Sequence, residues 1–350
     1  MSAPEPSTLL VIQPSSAAPR NSEGAILPLA DGRLLLVYTR FTGGGWDHAA
    51  ADIACRESQD GGLTWSSDRL LVENEGRENV MSVSLLRLPS GEVLLFYLVK
   101  NGCGDCRSFV RRSQDELITL SKPVCATPEA GFFVVNNDRV VRHSSGRLIV
   151  PAAYHACPGG SYEHYDMRGV STCFLSDDTG RTWRRCGSSL AAPEITGSGL
   201  QEPGIVERLD GSLLMWMRTT AGCQYQSVSQ DGGETWSPPA PGPLISPLSP
   251  ASIKRTPWGG AWLAVWNDHS DNHPFPPGRR TPLCAAISSD EGQTWSESRV
   301  IEGNPDGWYC YTSLTFTPDS VLLSYCAGDS IVGGLNRLKV TQIHRAWLGL

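Results

Sequence analysis

SQDGGLTW, residues 58–65, recurs along the chain with a fixed pattern of Ser, Asp, Gly, Thr and Trp. SDDTGRTW begins at Ser176, SQDGGETW at Ser229 and SSDEGQTW at Ser288, and a decayed copy, SQDELITL, begins at Ser113. Ser and Asp side chains can hydrogen-bond backbone amides within a tight turn, and Gly takes the positive φ that such a turn needs. Thr-Trp then starts a strand whose indole packs inward. The repetition predicts an architecture built from many similar β units.

A second repeat joins a turn to a strongly apolar strand. Its six copies read ADGRLLLVYTR, PSGEVLLFYLV, SSGRLIVPAAY, LDGSLLMWMRT, WGGAWLAVWND and TPDSVLLSYCA. The turn residues are Gly32, Gly91, Gly146, Gly211 and Gly260, with Asp319 in the last copy. Units of roughly 58 residues that contain several strands build four-stranded blades arranged radially. The sequence therefore predicts an all-β, six-bladed β-propeller as a single domain over residues 1–350, with residues 1–15 as a peripheral segment.

Composition agrees with this fold and limits the partners. The 36 Gly and 25 Pro favour many turns between short strands. The net charge is -7 and no run of Lys or Arg is present, so we expect no nucleic-acid partner. The N-terminus has neither a basic start nor an apolar leader, and no apolar stretch is long enough to span a bilayer. We therefore expect a cytoplasmic protein without membrane contact.

Eleven cysteines are scattered along the chain. Cys103 and Cys106 form a single CxxC pair, but no second pair and no nearby His supply the remaining ligands of a zinc site. We therefore expect reduced, mostly buried thiols, and neither a metal site nor a cofactor.

Polar residues occupy equivalent positions in different units, at the ends of strands that are otherwise apolar. A propeller brings the ends of its inner strands to one face, so we expect these side chains to converge. Three Arg side chains that meet at one point would bind a carboxylate strongly, because each guanidinium offers a planar pair of donors. The candidate site residues are Arg20, Arg40, Asp47, Asn79, Asn137, Glu202, Arg218, Asp268, Arg280 and Tyr311.

The order of these residues resembles that of the exo-sialidases, over nearly the whole chain from about Arg20 to Trp347. In that family, SxDxGxTW turns are called Asp boxes. An Arg precedes a strand ending in Arg, then an Asp and the first box, as Arg20, Arg40 and Asp47 do here. The later motifs of the family are matched by QEPG with Glu202, LLMWMR with Arg218, RTPL with Arg280 and YTSL with Tyr311.

The resemblance implies a retaining glycoside hydrolase that removes a terminal acidic sugar from an oligosaccharide or glycoconjugate. The sugar would be sialic acid or a related nonulosonic acid. Arg20, Arg218 and Arg280 would bind its carboxylate, and Arg40 would add a further cation to the pocket. Asn79, Asn137 and Asp268 are expected to line the same pocket.

The resemblance also implies the catalytic roles. Asp47 would be the general acid/base, and Tyr311 would attack the anomeric carbon after Glu202 removes its proton. A carboxylate nucleophile would be repelled by the sugar's own carboxylate, and a phenol avoids that repulsion.

Some features leave alternatives open. Arg20 is followed by Asn-Ser-Glu in place of Ile-Pro, so Glu23 either alters the substrate or belongs to a solvated loop. Arg279 adjoins Arg280, and Tyr309 is a rival phenol two residues before Tyr311, on the same face of a regular strand. The alternative functions are a same-fold enzyme on another acidic glycan, such as a uronate hydrolase or lyase, and a non-catalytic glycan-binding propeller.

Overall fold

A computed structural model describes residues 3–193 and 196–350. The chain divides into two compact units, Met1–Glu73 with Pro243–Leu350 and Asn74–Gly242. Regular structure in the described residues is almost entirely β, so the predicted all-β class is confirmed. Among the residues described, three short 3₁₀ helices span Pro158–Gly160, Tyr162–His164 and Arg345–Leu348. In these ranges of the chain, no helix has the length and apolar character needed to cross a membrane.

The strands are numbered in chain order. They are β1 (Ser7–Ile12), β2 (Arg20–Pro28), β3 (Leu34–Phe41), β4 (Ala51–Ser58), β5 (Arg69–Val72), β6 (Asn79–Arg87), β7 (Val93–Gly102), β8 (Asp105–Ser113), β9 (Val124–Cys125), β10 (Phe132–Val134), β11 (Val141–Arg142), β12 (Leu148–His155), β13 (Val170–Ser176), β14 (Arg184–Arg185), β15 (Gln201–Glu207), β16 (Leu213–Arg218), β17 (Cys223–Ser229), β18 (Ala240–Ile245), β19 (Ser252–Arg255), β20 (Trp262–Asn267), β21 (Leu283–Ser288), β22 (Arg299–Glu302), β23 (Trp308–Phe316), β24 (Ser320–Gly328) and β25 (Leu338–His344).

The described part of the first unit contains three four-stranded antiparallel sheets. Their strand orders are β2-β3-β4-β5, β19-β20-β21-β22 and β1-β25-β24-β23. In the third sheet the N-terminal strand pairs with the C-terminal one, Ser7 opposite Gln342 and Ile12 opposite Leu338. The segment predicted to be peripheral therefore forms the edge strand of a sheet and joins the two ends of the chain.

The remaining strands form a nine-stranded sheet and a four-stranded sheet of order β15-β16-β17-β18. The nine-stranded sheet contains two meanders, β6-β7-β8-β9 and β11-β12-β13-β14. Strand β10 joins them, because it pairs in parallel with β8, Phe132 opposite Cys106, and antiparallel with β12. Each of the six units recognised in the sequence thus corresponds to one meander in the described residues.

The apolar strand of each unit is the second strand of its meander, between two hydrogen-bonded neighbours. Strand β24 is buried along its whole length, and β3 along all but one residue. A continuous apolar run is therefore required, since neighbouring elements cover both faces. Leu36 and Tyr38 of β3 pack with Leu322 of β24 in the core of the first unit. The predicted turn glycines have positive φ, for example 88° at Gly32.

The repeated octapeptide forms the turn between the third and fourth strands of a meander. Gly62 donates its N–H to Ser58 Oγ at 2.8 Å, and Ser58 donates to Asp60 at 2.9 Å. Asp60 accepts both the backbone N–H of Thr64, at 2.9 Å, and its hydroxyl, at 2.6 Å. The indole N–H of Trp65 donates to the Gly62 carbonyl at 2.8 Å. The turns that begin at Ser176, Ser229 and Ser288 repeat the Ser, Asp and Thr bonds.

The decayed copy keeps the same turn. Thr119 bonds to Asp115 through its backbone N–H and its hydroxyl, as Thr does in the intact copies. Leu117 takes the place of glycine with a φ of 61° and donates its N–H to Ser113 Oγ at 2.8 Å. The hydrogen bonds to the Ser and Asp side chains therefore stabilise the turn even without a glycine at this position.

The cysteines correct one expectation. Cys103 and Cys157 form a disulfide with their Cα atoms 5.9 Å apart, so the prediction of reduced thiols is wrong for this pair. Cys106, the other half of the CxxC motif, is buried, and burial raises the pKa of its thiol to about 12. The other free cysteines are buried as well, except for Cys125.

Candidate active site

One backbone feature recurs in the first strand of the meanders: a bulge at which a residue other than glycine has positive φ. Strand pairing shifts register there in β2, β6, β15 and β23. A left-handed backbone costs an L-residue about 1–2 kcal/mol, and bulges next to active sites re-aim side chains. The residues at these shifts are Glu23 (φ 52°), Ser82 (61°), Glu202 (47°) and Tyr311 (58°). Asp138 also has positive φ (58°) but lies between β10 and β11, outside the regular strands. Two of the three predicted catalytic residues, Glu202 and Tyr311, thus occupy the same structural position in different meanders.

The bulge in β23 separates Tyr311 from the rival phenol. Tyr309 is 6% exposed and belongs to the core, its ring 6.4 Å from that of Tyr325. Burial raises the pKa of Tyr309 to about 12. Tyr311 is half-buried, and its ring centroid lies 5.6 Å from Cζ of Arg280. The same-face prediction is wrong because the inserted residue breaks the strict alternation of a regular strand.

A pocket of about 590 Å³ lies in the first unit. Within it, the guanidinium of Arg280 lies 5.3 Å from the ring centroid of Trp308, whereas Arg279 pairs with Asp306 at 3.2 Å. Arg280 is therefore the member of the Arg279–Arg280 pair that faces the aromatic side chains, as the RTPL motif indicates. Trp308 has no repeat or spacing that marks it in the sequence. The lining includes Arg20, Trp46, Asp47, Arg279, Arg280, Trp308, Asp329 and Asn336.

Arg20 lines this pocket but is only 1% exposed. It donates from Nε to Ser22 Oγ at 2.9 Å, from Nη2 to Glu23 at 3.1 Å and from Nη1 to Asp47 at 2.5 Å. Its guanidinium also packs over the ring of Phe41, 4.3 Å from the centroid. Burial alone would lower the pKa of Arg20, but the negative charges of Glu23 and then Asp47 raise it above the ordinary value.

Glu23 is 4% exposed, so the solvated-loop interpretation of this residue is wrong. It lies nine residues before the turn Gly32, as Glu202 lies nine before Gly211. This spacing is visible in the sequence, and it would have grouped Glu23 with Glu202. Arg20 has a different spacing, twelve residues before Gly32, which it shares with Asn79, twelve residues before Gly91.

Two predicted residues of the first unit have other surroundings. Arg40 lies near Asp52, at 3.5 Å, and Asp68, at 3.7 Å. Asp268 is 2% exposed and accepts hydrogen bonds from Ser298 Oγ at 2.5 Å and the Ser270 N–H at 2.9 Å. The lining of the pocket that contains Arg20 and Arg280 includes neither of them.

In the second unit, Arg218 donates from Nη1 to Oε2 of Glu202 at 2.6 Å. Tyr165 stacks on His155 with ring centroids 5.0 Å apart, and His155 Nδ1 lies 2.9 Å from the Asp166 carbonyl oxygen. Burial raises the pKa of Tyr165, and the nearby Cys106 thiol and then the Glu202 carboxylate raise it further. Tyr165 is thus a neighbour of the candidate base that the sequence did not indicate.

The two asparagines of the second unit are almost fully buried. Asn79 opens β6 with 0% exposure, opposite Lys100, and Asn137, 1% exposed, directly precedes the left-handed Asp138. Over residues 3–193 and 196–350, no group of three or more His, Cys, Asp or Glu side chains has an arrangement that could hold a metal ion.

Comparison with known proteins gives a consistent family. The BNR repeat-like domain matches residues 32–323. A sialidase of Micromonospora viridifaciens is 27% identical, over 93% of this chain and 51% of its own length. An anhydrosialidase of Macrobdella decora is 34% identical, over 55% of this chain and 25% of its own length. The chain thus spans about half or less of the length of these relatives.

The fold agrees with that of solved structures. An intramolecular trans-sialidase from Ruminococcus gnavus, solved in complex with oseltamivir carboxylate, superposes with a TM-score of 0.73 over 98% of both chains, at 17% identity. Because the domain match covers most of the residues and the curated relatives are sialidases, the chain belongs to the BNR repeat-like domain family, within the sialidase superfamily.

Proposed function

We propose that the protein is a retaining glycoside hydrolase of the sialidase type that cleaves a terminal acidic sugar from an oligosaccharide or glycoconjugate. The observation that carries the proposal is the position of Tyr311, on a left-handed bulge with Arg280 5.6 Å from its ring. A strained non-glycine backbone persists only where the surroundings hold it, and such sites cluster where a side chain must be presented for chemistry. The sialidase relatives support the substrate class.

The residue roles follow the chemistry of a phenolic nucleophile. Tyr311 Oη, with Glu202 as the base that takes its proton, attacks the anomeric carbon. The bond to the aglycone oxygen breaks, and Asp47 gives that oxygen a proton. Water then attacks the same carbon, Asp47 accepts the proton of the water, and Tyr311 leaves and takes its own proton back from Glu202. Asp47 has a side chain 57% exposed and bonds to Arg20, so it must release Arg20 to reach the aglycone.

We also infer that the six meanders are the blades of a six-bladed β-propeller. The support is that each sequence unit forms one meander with its apolar strand in second place. The similarity to solved sialidase structures points the same way.

The test is a substrate panel with the wild-type chain: a fluorogenic aryl α-sialoside, the matching aryl uronides and neutral aryl glycosides. Turnover of the sialoside, with the α-anomer of the sugar as the first product by NMR, supports the proposal. Turnover restricted to uronides, or an unsaturated product, supports the uronate alternative instead. Binding of the sialoside without turnover supports a non-catalytic glycan-binding protein.

The second candidate function is that of an enzyme with the same fold that acts on another acidic glycan. The observation in its favour is that Asp47 and Glu23 already bind Arg20, the first of the three predicted carboxylate-binding arginines. The carboxylates of Asp47 and Glu23 offset the positive charge of Arg20. Arg20 therefore attracts a substrate carboxylate less strongly than an Arg side chain that faces solvent or aromatic rings.

A further inference from the structure

A disulfide anchors the segment between β12 and β13, which passes beside Glu202 in the second unit. Cys157, two residues after β12, is bonded to Cys103 in the turn between β7 and β8. The two cysteines are 54 residues apart in the chain. The disulfide therefore fixes the start of residues 158–168 to a hairpin that is distant in sequence.

The anchored segment carries Tyr165 into an aromatic cluster beside Glu202. The ring of Tyr165 stacks on that of His155 at 5.0 Å and meets the Phe132 ring edge-on at 5.2 Å. Burial lowers the pKa of His155, and the bond to the Asp166 carbonyl and then the charge of Glu202 oppose that shift. The carboxylate of Glu202 thus acts on both stacked rings.

The far end of the segment is hydrogen-bonded to the residues that lead into β15. Gln201 donates from Nε2 to the Met167 carbonyl at 2.7 Å, and the Leu200 N–H donates to the Gly169 carbonyl at 2.8 Å. Gln201 directly precedes Glu202 in β15. A shift of the segment therefore moves the backbone that carries Glu202.

Two further contacts hold the segment by hydrogen bonds. Tyr162 donates to Glu78 at 2.7 Å, but its side chain is exposed, so water competes for this bond. Arg168 donates from Nη1 to the Thr196 carbonyl at 2.8 Å, at the end of the segment that follows Tyr165. The disulfide is thus the covalent anchor of the part that precedes Tyr165.

We propose that the Cys103–Cys157 disulfide is a positioning element of the candidate active site, which holds Tyr165 and Gln201 against Glu202. When the disulfide is reduced, the segment opens more often and a smaller fraction of the molecules hold Glu202 in its productive position. The enzyme is therefore more active in oxidising than in reducing surroundings. The role of Glu202 as the base rests on the proposed function.

Reduction by a dithiol such as dithiothreitol opens the disulfide. Cys157 is partly exposed, whereas Cys103 is fully buried. A thiolate of the reagent attacks Sγ of Cys157, the S–S bond breaks, and Cys103 leaves as a thiolate that takes a proton from water. The second thiol of the reagent then displaces the sulfur of Cys157, which also takes a proton, and the reagent ends as a cyclic disulfide. Cys106 does not exchange with the disulfide at neutral pH, because burial raises the pKa of its thiol to about 12 and leaves little thiolate.

The experiment compares the wild type, Cys157→Ser and Cys125→Ser, each with and without dithiothreitol. Alkylation followed by mass spectrometry establishes the redox state of each sample. Cys125→Ser is the matched control, because Cys125 is a partly exposed cysteine of the same unit but has a free thiol, bonded to the Thr127 carbonyl. The readouts are hydrogen exchange at the amides of Gly169 and Leu200 and steady-state kinetics with an aryl sialoside.

In the reduced wild type and in Cys157→Ser, exchange at Gly169 and Leu200 should be faster by about tenfold or more. Amides in the centres of β16 and β17 should keep their exchange rates, which distinguishes a local change from a general loss of stability. kcat should fall by about tenfold or more with a smaller change in KM, because a small misplacement of a catalytic group is costly. Reoxidation of the wild type should restore kcat. Cys125→Ser should match the wild type in both redox states.

Unchanged exchange at Gly169 and Leu200 in a fully reduced wild type overturns the proposal, as does an equal acceleration throughout β16 and β17. If either the reduced wild type or Cys157→Ser is not obtained as a folded protein, the other decides. These exchange readouts do not depend on turnover. A wild type that turns over no sialoside contradicts the hydrolase, and exchange still decides whether the disulfide holds the residues around Glu202. A wild type with the same kcat in its oxidised and reduced forms contradicts only the positioning role.

Discussion

Arg218 donates a hydrogen bond to Glu202 at 2.6 Å, and the two residues are only 8% and 7% exposed. A buried ion pair adds little net stability, but the removal of one partner leaves an uncompensated charge. Arg218→Met should therefore lower the free energy of unfolding by about 3 kcal/mol, measured by urea denaturation. Arg184→Met is the control, because Arg184 is half-exposed and pairs with Glu234 at the surface, where such a pair contributes less than about 1 kcal/mol. Equal losses in the two variants would contradict a special role for the Arg218–Glu202 pair.

Tyr311→Phe should reduce kcat for an aryl sialoside by on the order of a thousandfold or more, because the variant has no oxygen nucleophile. Tyr309→Phe should leave kcat within a few fold, since this ring lies in the core beside Tyr325. Steady-state kinetics of both variants tests the assignment. Circular dichroism checks that both variants are folded like the wild type. A Tyr311→Phe protein with wild-type kcat would contradict the assignment of Tyr311 as the nucleophile.

The repeats are readable from the sequence because each turn and each central strand depends on local residues. Ser58, Asp60 and Thr64 bond to one another within seven residues, and β3 needs an apolar side chain at nearly every position. The directions of the side chains around the site are harder to predict from the sequence. The bulges insert one residue into the first strands, so the strict alternation that placed Tyr309 with Tyr311 fails there.

The partners of ion pairs and disulfides are also difficult to predict from the sequence. The side chain of Arg40 ends beside Asp52 and Asp68, and Cys103 joins Cys157 in place of the adjacent Cys106. Neither partner can be chosen from spacing alone, because many carboxylates and eleven cysteines are available. Tyr165 was missed for the same reason, since its neighbours Glu202 and Arg218 are distant in the chain.

The Ser-x-Asp turns predict a specific response to acid. Hydrogen bonds from Thr64 lower the pKa of Asp60 from its ordinary 3.8 to about 2, and Asp115 and Asp290 behave alike. A carboxyl group with a lowered pKa in the folded state stabilises the fold above its unfolded pKa. That contribution is lost as the pH falls from about 4 to about 2. Wild-type stability should therefore decrease through this window.

Asp60→Asn should be less stable than the wild type at pH 7 and should lose less stability on acidification, as measured by thermal unfolding at several pH values. Asp271→Asn removes an exposed carboxylate outside the turns and is the control. Identical acid profiles for the wild type and Asp60→Asn would show that the turn carboxylates do not set the response.

Leu117 occupies the left-handed position that glycine holds in the intact turns, with φ 61° against 99° at Gly62. Two effects of Leu117→Gly oppose each other. Relief of backbone strain contributes about 1 kcal/mol in favour of the variant. Leu117 is fully buried, so loss of its side chain costs about 2–5 kcal/mol, and the greater freedom of glycine in the unfolded chain costs about 0.5–1 kcal/mol more. Packing therefore outweighs strain, and the variant should lose about 2–5 kcal/mol in urea unfolding. The neighbouring Glu116→Gly tests strain with less packing, because Glu116 has a φ of 60° and is partly exposed, with an ion pair to Arg87 at 2.7 Å. It should change stability by less than about 1 kcal/mol. A Leu117→Gly protein as stable as the wild type would mean that the strained turn, and not the buried side chain, dominates the energy of this copy.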